Sequence, residues 1–434
     1  MVLRFSKVHM INFRSRGFSS WLALAAMMPA LAAPLGAAAH GTKAAAHDVA
    51  KAGSMKNGPA AAAPAQPAGP PPDAPLADAA TPPPPDFADI SSYILIDATT
   101  GAVIAEKAPH AEVPPASLTK LMTAYLVYQA IAHGSLKLDQ DVPVSDAAWH
   151  TGGSRMFIQP LMTVTVDQLL HGLIIDSGND AAVALAEQVG GTQDAFVAMM
   201  NSEAKKLGLA ETNYTDVDGL PDPALHTSAA DVATLSLAFL KKYPQVLAIS
   251  SEQSYTFNNI TQRSWNPVLF HDSTVDGLKT GLTKESGHCI DATAKRDGRR
   301  LIAVVMGGSS WRSSTAAIEA LLDYGYKFYG NSEIAKQGAP IGMITSEALD
   351  PEQVPVGAQN DLTVTLPSDE IGKLQTAVTY NAPFVDAIQK GEVVGSVSVS
   401  SGGKIIATVP AVALADAKQA GFFTRLGRDI KKIL

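Results

Sequence analysis

The stretch PPASLTKLMTAYLVYQAI, residues 114–131, opens with two prolines and runs into a long apolar segment. Leu121, Met122, Tyr125, Leu126, Tyr128 and Ile131 recur close to a helical period, and apolar residues cover much of the surface. That pattern predicts a buried helix. Ser117 and Lys120 stand three apart at its start, which puts both on one face. A serine hydroxyl becomes a useful nucleophile only with a base in reach, and a lysine is a base only while neutral. Burial beside Leu121, Met122 and Tyr125 would lower its pKa in that direction. Taken alone, however, S-x-x-K is common by chance, and a helix-start serine with a solvated lysine is the plainer reading.

The surrounding pattern sets the fold class. SYILIDATTGAVIAEK, 92–107, reads as two strands around a turn at Thr100 and Gly101. After the 114–131 helix come further helical segments: VTVDQLLHGLIID, NDAAVALAEQVG, QDAFVAMMNSEAKKLG and AADVATLSLAFLKKYP. Thr165 and Asp194 are local helix-start signals among them. STVDGLKTGLT and GHCIDATAKRDGRRLIAVVMGG then cluster β-branched residues, with turns at Lys284–Gly287 and Asp297–Gly298, as adjacent antiparallel strands do. STAAIEALLDYGYKFYG, 314–330, closes as a helix. Residues 91–330 are therefore expected to form one α+β domain whose sheet draws on both ends. Residues 331–415 carry short alternating runs separated by Gly, Asn or Pro, which predicts a smaller C-terminal all-β domain.

The two ends of the chain have other characters. Arg4, Lys7, Arg14 and Arg16 precede WLALAAMMPALAA and then small residues, the layout of a bacterial export signal over 1–39. Residues 40–90 are Ala- and Pro-rich with almost no large apolar side chain, so they read as a disordered tether. In 418–434, Phe422, Phe423, Leu426, Ile430, Ile433 and Leu434 can share one side of a helix, with Arg425, Arg428, Lys431 and Lys432 mostly off it. In an exported protein this suggests an interfacial helix on the periplasmic face of the inner membrane. A formal net charge of -8 argues against nucleic acid as the main partner. Cys289 is the single cysteine, so neither an intrachain disulfide nor a cysteine metal cluster is available, and a buried structural thiol is expected.

Two further patches change the reading of Ser117 and Lys120. Ser177-Gly178-Asn179 lies between two apolar helical runs and offers a hydroxyl and an amide. Lys279-Thr280-Gly281 lies on a predicted strand, whose edge can align an extended peptide. With Ser117 and Lys120, in that order, they resemble the serine acyltransferases of the penicillin-binding protein and class A β-lactamase superfamily. GGSRMFIQP, LLHGLIIDSGNDAAVALAEQVGG and VDGLKTGLTKESGHC narrow the resemblance to low-molecular-mass D-alanyl-D-alanine carboxypeptidases. The 331–413 region looks like the β-rich stalk domain of that group, and GFFTRLGRDIKKIL like its membrane-associating helix.

The resemblance implies a mechanism without cofactor or metal. Ser117 attacks the carbonyl between the last two D-alanines of a peptidoglycan stem peptide and Lys120 takes its proton. Ser177 passes a proton to the leaving D-alanine while Asn179 orients the network. The N–H groups of Ser117 and Leu282 form the oxyanion hole, and Lys279 and Thr280 bind the substrate carboxylate. Gly281 permits close approach. Arg312 reinforces that pocket, and β-lactams acylate Ser117. Leu282 departs from the many relatives with histidine after K-T-G, which touches side-chain contacts but not its N–H. A D,D-endopeptidase, a β-lactamase and a catalytically idle peptidoglycan-binding protein are the alternatives. Asp176 and His171 form no recognisable triad with a serine, and His133, His150 and His226 lack metal-ligand spacing. Met199 and Met200 read as helix core.

Overall fold

The computed structural model describes residues 81–433. The expected export signal and most of the 40–90 tether lie outside the described residues. The chain forms a mixed α/β domain followed by a smaller, largely β domain.

In the first domain, strands β1 (Ser92–Asp97), β2 (Val103–Lys107), β3 (Val275–Thr283), β4 (Gly287–Arg296) and β5 (Arg299–Gly308) form one antiparallel sheet. Their spatial order is β2-β1-β5-β4-β3, so both ends of the domain sequence meet in one sheet and β3 is an edge. Both faces are covered, which is why β4 and β5 read as near-continuous apolar runs. Ile94, Ile96, Ile302 and Val304 face a helical layer. Their sequence neighbours Leu95, Leu301, Ala303 and Val305 pack against a helix on the other face, through its Ile318, Leu321 and Leu322. This alternation is the period-two geometry of a strand.

The helical layer is built on α1 (Lys120–Ala132), preceded by a 3-10 turn, Ala116–Thr119. Every α1 residue from Lys120 to Tyr128 is buried, as expected of a helix that is apolar all round. Around it lie α2 (Val166–Ile174), α3 (Asn179–Gly190), α4 (Gln193–Leu207) and α5 (Ala229–Lys242). The helix on the other face of the sheet is α6 (Trp311–Phe328). Thr165 caps α2 in a reciprocal capping box with Gln168. The cap of α4 is Thr192, with Asp194 in the first turn rather than at the boundary. Met200 is core, but Met199 is 37% exposed, since neighbours on a helix point about 100° apart.

The smaller domain begins with the pairing of Tyr329–Ala335 and Leu362–Pro367. Its five-stranded sheet runs Pro340–Thr345, Gln353–Ala358, Lys404–Ala413, Val393–Ser401, Gln375–Tyr380 in spatial order. A separate apolar core fills it, including Leu349, Val354, Val356, Val397 and Val399. The junction with the first domain has polar contacts: Asn331 Nδ2 donates to Asp97 Oδ1 at 3.1 Å, and Arg299 Nη1 to the Tyr329 carbonyl at 2.6 Å.

The last helix, α7 (Phe422–Ile433), exposes Phe422, Phe423, Leu426 and Ile430. Arg428 ties it back to the β domain by donating to the carbonyls of Glu347 and Leu349 at 2.8 and 2.7 Å. No described helix is long and apolar enough to cross a membrane.

Candidate active site

Three elements bring the sequence motifs together. The 3-10 turn carries Ser117, half-buried, at the entrance to α1. Lys120 is only 1% exposed, and its Nζ lies 2.8 Å from Ser117 Oγ. The ammonium also donates to the backbone carbonyl of Asp218 at 2.6 Å, which fixes the direction of the side chain. Burial lowers the Lys120 pKa to about 8, while Asp218, Asp216 and Asp180 pull it partly back up. A substantial neutral fraction is thus available near pH 8.

Two backbones pinch the serine turn from behind. Gly219 has φ +89°, and a Cβ there would stand 1.8 Å from the Ala116 carbonyl oxygen. A Cβ on Gly281 would stand 2.9 Å from the Pro115 carbonyl oxygen and 3.1 Å from Ser117 N. Only glycine fits at either place. The 3-10 turn therefore packs directly on the K-T-G segment of β3.

The second wall is the start of α3. Ser177 is 5% exposed and sits in the left-handed region with φ 57°, a conformation costing on the order of 1 kcal/mol for a non-glycine residue. A loop over 152–161 holds it there: Ser154 Oγ donates to the Ser177 carbonyl at 2.7 Å, and Asn179 N to the Ser154 carbonyl at 2.8 Å. Asp180 secures that loop. Its buried carboxylate accepts from the N–H groups of Met156, Phe157 and Ile158 at 3.0, 2.8 and 3.2 Å. Asn179 Nδ2 donates to the Gly152 carbonyl at 2.7 Å, and its Oδ1 is buried without a partner. Asn179 makes no hydrogen bond to Lys120, whose amine goes to Ser117 and to the Asp218 carbonyl.

Lys279 on β3 joins the second wall to the third. It is 2% exposed, and its Nζ donates to Ser177 Oγ at 2.9 Å and to the Thr280 carbonyl at 3.0 Å. Burial, with Lys120 as a like-charged neighbour, pushes it well below the usual lysine range. Thr280 is buried, whereas Leu282 is 46% exposed at the rim. Arg312 is exposed on the first turn of α6, and none of the site's hydrogen bonds includes it. A hollow of about 490 Å³ opens beside the serine turn, lined by Ala116, Gly219, Leu220, His226 and Thr283 among others.

The other candidates take structural places. His171 Nδ1 lies 2.8 Å from the Asp167 carbonyl and its ring stacks on Tyr255. Cys289 is fully buried, and burial pushes its thiol up to about 11. Among the described residues no group of three or more His, Cys, Asp or Glu could hold a metal ion. Asp180, Asp216 and Asp218 escaped the sequence reading. The Asp218-Gly219 dipeptide is a turn signal, but nothing local says that the turn meets Lys120.

A serine whose only adjacent base is a buried lysine belongs to the class of enzymes that form an ester on serine without histidine. The sequence family described as D-alanyl-D-alanine carboxypeptidase matches residues 78–310, and the C-terminal domain of penicillin-binding protein 5 matches 329–419. The chain belongs to the D-alanyl-D-alanine carboxypeptidase family. It is 36% identical over 351 residues to D-alanyl-D-alanine carboxypeptidase DacA of Escherichia coli K12, covering 79% of this chain and 87% of that one. Penicillin-binding protein 5 of Haemophilus influenzae superposes with a TM-score of 0.73 at 32% identity, over 77% of this chain and 99% of that one. Penicillin-binding protein D2 of Listeria monocytogenes, solved in an ampicillin-bound form, covers 56% of this chain and 99% of its own at 28% identity, TM-score 0.52.

Proposed function

We propose that this protein removes the terminal D-alanine from peptidoglycan stem pentapeptides through an ester on Ser117. The observation that carries the reading is the 2.8 Å approach of the buried Lys120 amine to Ser117 Oγ. Neutral Lys120 accepts the hydroxyl proton as Oγ attacks the carbonyl carbon of the scissile bond. The N–H groups of Ser117 and Leu282 take the developing oxyanion, usually a large part of the catalytic effect. The tetrahedral adduct collapses, the C–N bond breaks, and Ser177 passes a proton to the departing D-alanine amine and takes its replacement from protonated Lys120, which is left neutral again. Asn179 orients the peptide, with its unpartnered Oδ1 as the open acceptor. Lys279 and Thr280 anchor the terminal carboxylate, and Arg312 adds positive charge at the rim. Water then hydrolyses the ester with Lys120 again as the base. β-Lactams, which carry a carboxylate beside a strained amide, acylate the same serine.

In this reading residues 1–39 export the chain to the bacterial periplasm and residues 40–90 tether the catalytic domain. Helix α7 lies on the periplasmic face of the inner membrane through Phe422, Phe423, Leu426 and Ile430, which are exposed on its surface. The test is incubation of the purified ectodomain with a stem pentapeptide and measurement of free D-alanine. Release by the wild type and none by Ser117→Ala is expected. Absence of release from a wild type that binds the peptide overturns the proposal.

A further inference from the structure

A half-exposed tryptophan stands behind the second wall. Trp265 is 46% exposed, too open for a core residue, yet its one polar atom is turned inward. Its Nε1 donates to the Asp176 carbonyl at 3.1 Å. That carbonyl belongs to the peptide unit just before Ser177. The unit just after Ser177 is held separately: Ser154 Oγ donates to the Ser177 carbonyl, and Gly178 N to the Gly172 carbonyl at 2.9 Å. The neighbours of Trp265 extend the grip. Asn266 Nδ2 donates to the Gly277 carbonyl on β3 at 3.2 Å, two residues before Lys279. Gln262 Nε2 donates to the Arg155 carbonyl in the 152–161 loop at 2.9 Å. The end of the hairpin formed by Ser254–Phe257 and Ile260–Arg263, with the two residues Trp265 and Asn266 beyond it, thus reaches the loop, the second wall and β3.

We infer that Trp265 is a positioning residue for this site: its indole N–H keeps the Asp176–Ser177 peptide turned so that Ser177 Oγ meets Lys279 Nζ and can pass a proton to the departing amine. The inference rests on the leaving-group role of Ser177 proposed above. The φ of a residue is the rotation of its preceding peptide plane about N–Cα, so the φ of 57° at Ser177 depends on where the Asp176–Ser177 plane is kept. The left-handed region disfavours a non-glycine residue, so a released plane relaxes toward an ordinary φ and carries the hydroxyl with it. Ser177 Oγ and Lys279 Nζ lie 2.9 Å apart across 102 positions of chain. A misplacement of about 1 Å at a reacting group is enough to slow a step substantially. Asn266 fastens the same segment to β3, so Trp265 sets the second wall against the strand that carries Lys279. An indole N–H in such a place is a fixed donor on a ring with little freedom to turn away.

The test compares two leaving groups in single-turnover acylation: an acylated L-Lys-D-Ala-D-Ala peptide and the matching D-Ala-D-lactate ester. An amine does not leave as its anion, so amide cleavage needs the delivered proton, whereas an alkoxide leaves far more readily without it. Trp265→Phe keeps a ring and removes the donor. It should slow acylation by the peptide about fivefold, the size expected for one hydrogen bond, and acylation by the ester less than about twofold. Trp265→Leu, which also lacks the donor, decides the matter if Trp265→Phe does not fold. Ser177→Ala should show the same contrast at larger size, and adding Trp265→Phe to it should cost nothing further. An equal loss with both substrates in a folded variant overturns the inference, as does no loss with the peptide or a full further fivefold loss in the double variant. A wild type that is acylated by neither substrate fails the proposed function instead, so the two failures are distinguishable.

Discussion

The two domains handle polarity in opposite ways. The buried polar and charged side chains of the described residues, from Ser92 to Thr315, all lie in the α/β domain. The core of the β domain is made of Leu, Ile, Val and Ala alone. Burying lysines and carboxylates works against stability, so their confinement to one domain marks where chemistry outweighs packing. The β domain is free of that conflict.

The contrast can be broken or sharpened by substitution. The largest effect is expected for Ser117→Ala, which should abolish covalent penicillin labelling; persistent labelling would remove Ser117 as the nucleophile. Lys120→Met should slow acylation by about 10³-fold in stopped-flow measurements, the usual range for a positioned general base. In the wild type, acylation should rise with pH through about 8, because the reactive form of Lys120 is the neutral one. Below that pH it should fall toward tenfold per unit. A pH-independent rate between 6 and 9 would show that Lys120 is not the base. Asp180→Ala should cost about 3 kcal/mol in denaturant unfolding, since three N–H groups, two of them buried, lose their acceptor. It should also slow acylation by about tenfold as Ser177 and Asn179 lose their support. At the far end, Leu349→Ala should destabilise the β domain by about 2–5 kcal/mol while D-alanine release by folded protein stays unchanged. A matching loss of activity would erase the division of labour between the domains.

Much of this was legible in the sequence. The strands betrayed themselves by β-branched clusters, and Ser117, Lys120, Ser177 and Lys279 by motif order. They meet in two pairs, Lys120 with Ser117 at 2.8 Å and Lys279 with Ser177 at 2.9 Å. What stayed hidden were residues whose importance comes only from tertiary approach. Asp218 meets Lys120 across 98 positions, and Asp180 reaches back over 22 to 24 positions to hold a loop with no local signature. Asn179 was expected to orient the network, but the partner its amide takes here, the Gly152 carbonyl 27 positions back, had no signal in the sequence. An amide's reach is a matter of a few ångströms, which spacing along the chain does not report.

The glycine pinch around the serine turn also narrows how such an enzyme can evolve under antibiotic pressure. With Gly219 and Gly281 backed onto the carbonyls of Ala116 and Pro115, any added side chain displaces the nucleophile itself. Resistance by crowding the reactive centre from behind would extinguish the enzyme along with the drug's grip. The tolerant positions are those already facing outward, Leu220 and Leu282, each more than two-fifths exposed. Selection for escape is thereby steered to the rim, where drug and natural substrate differ in shape, and away from the chemistry they share.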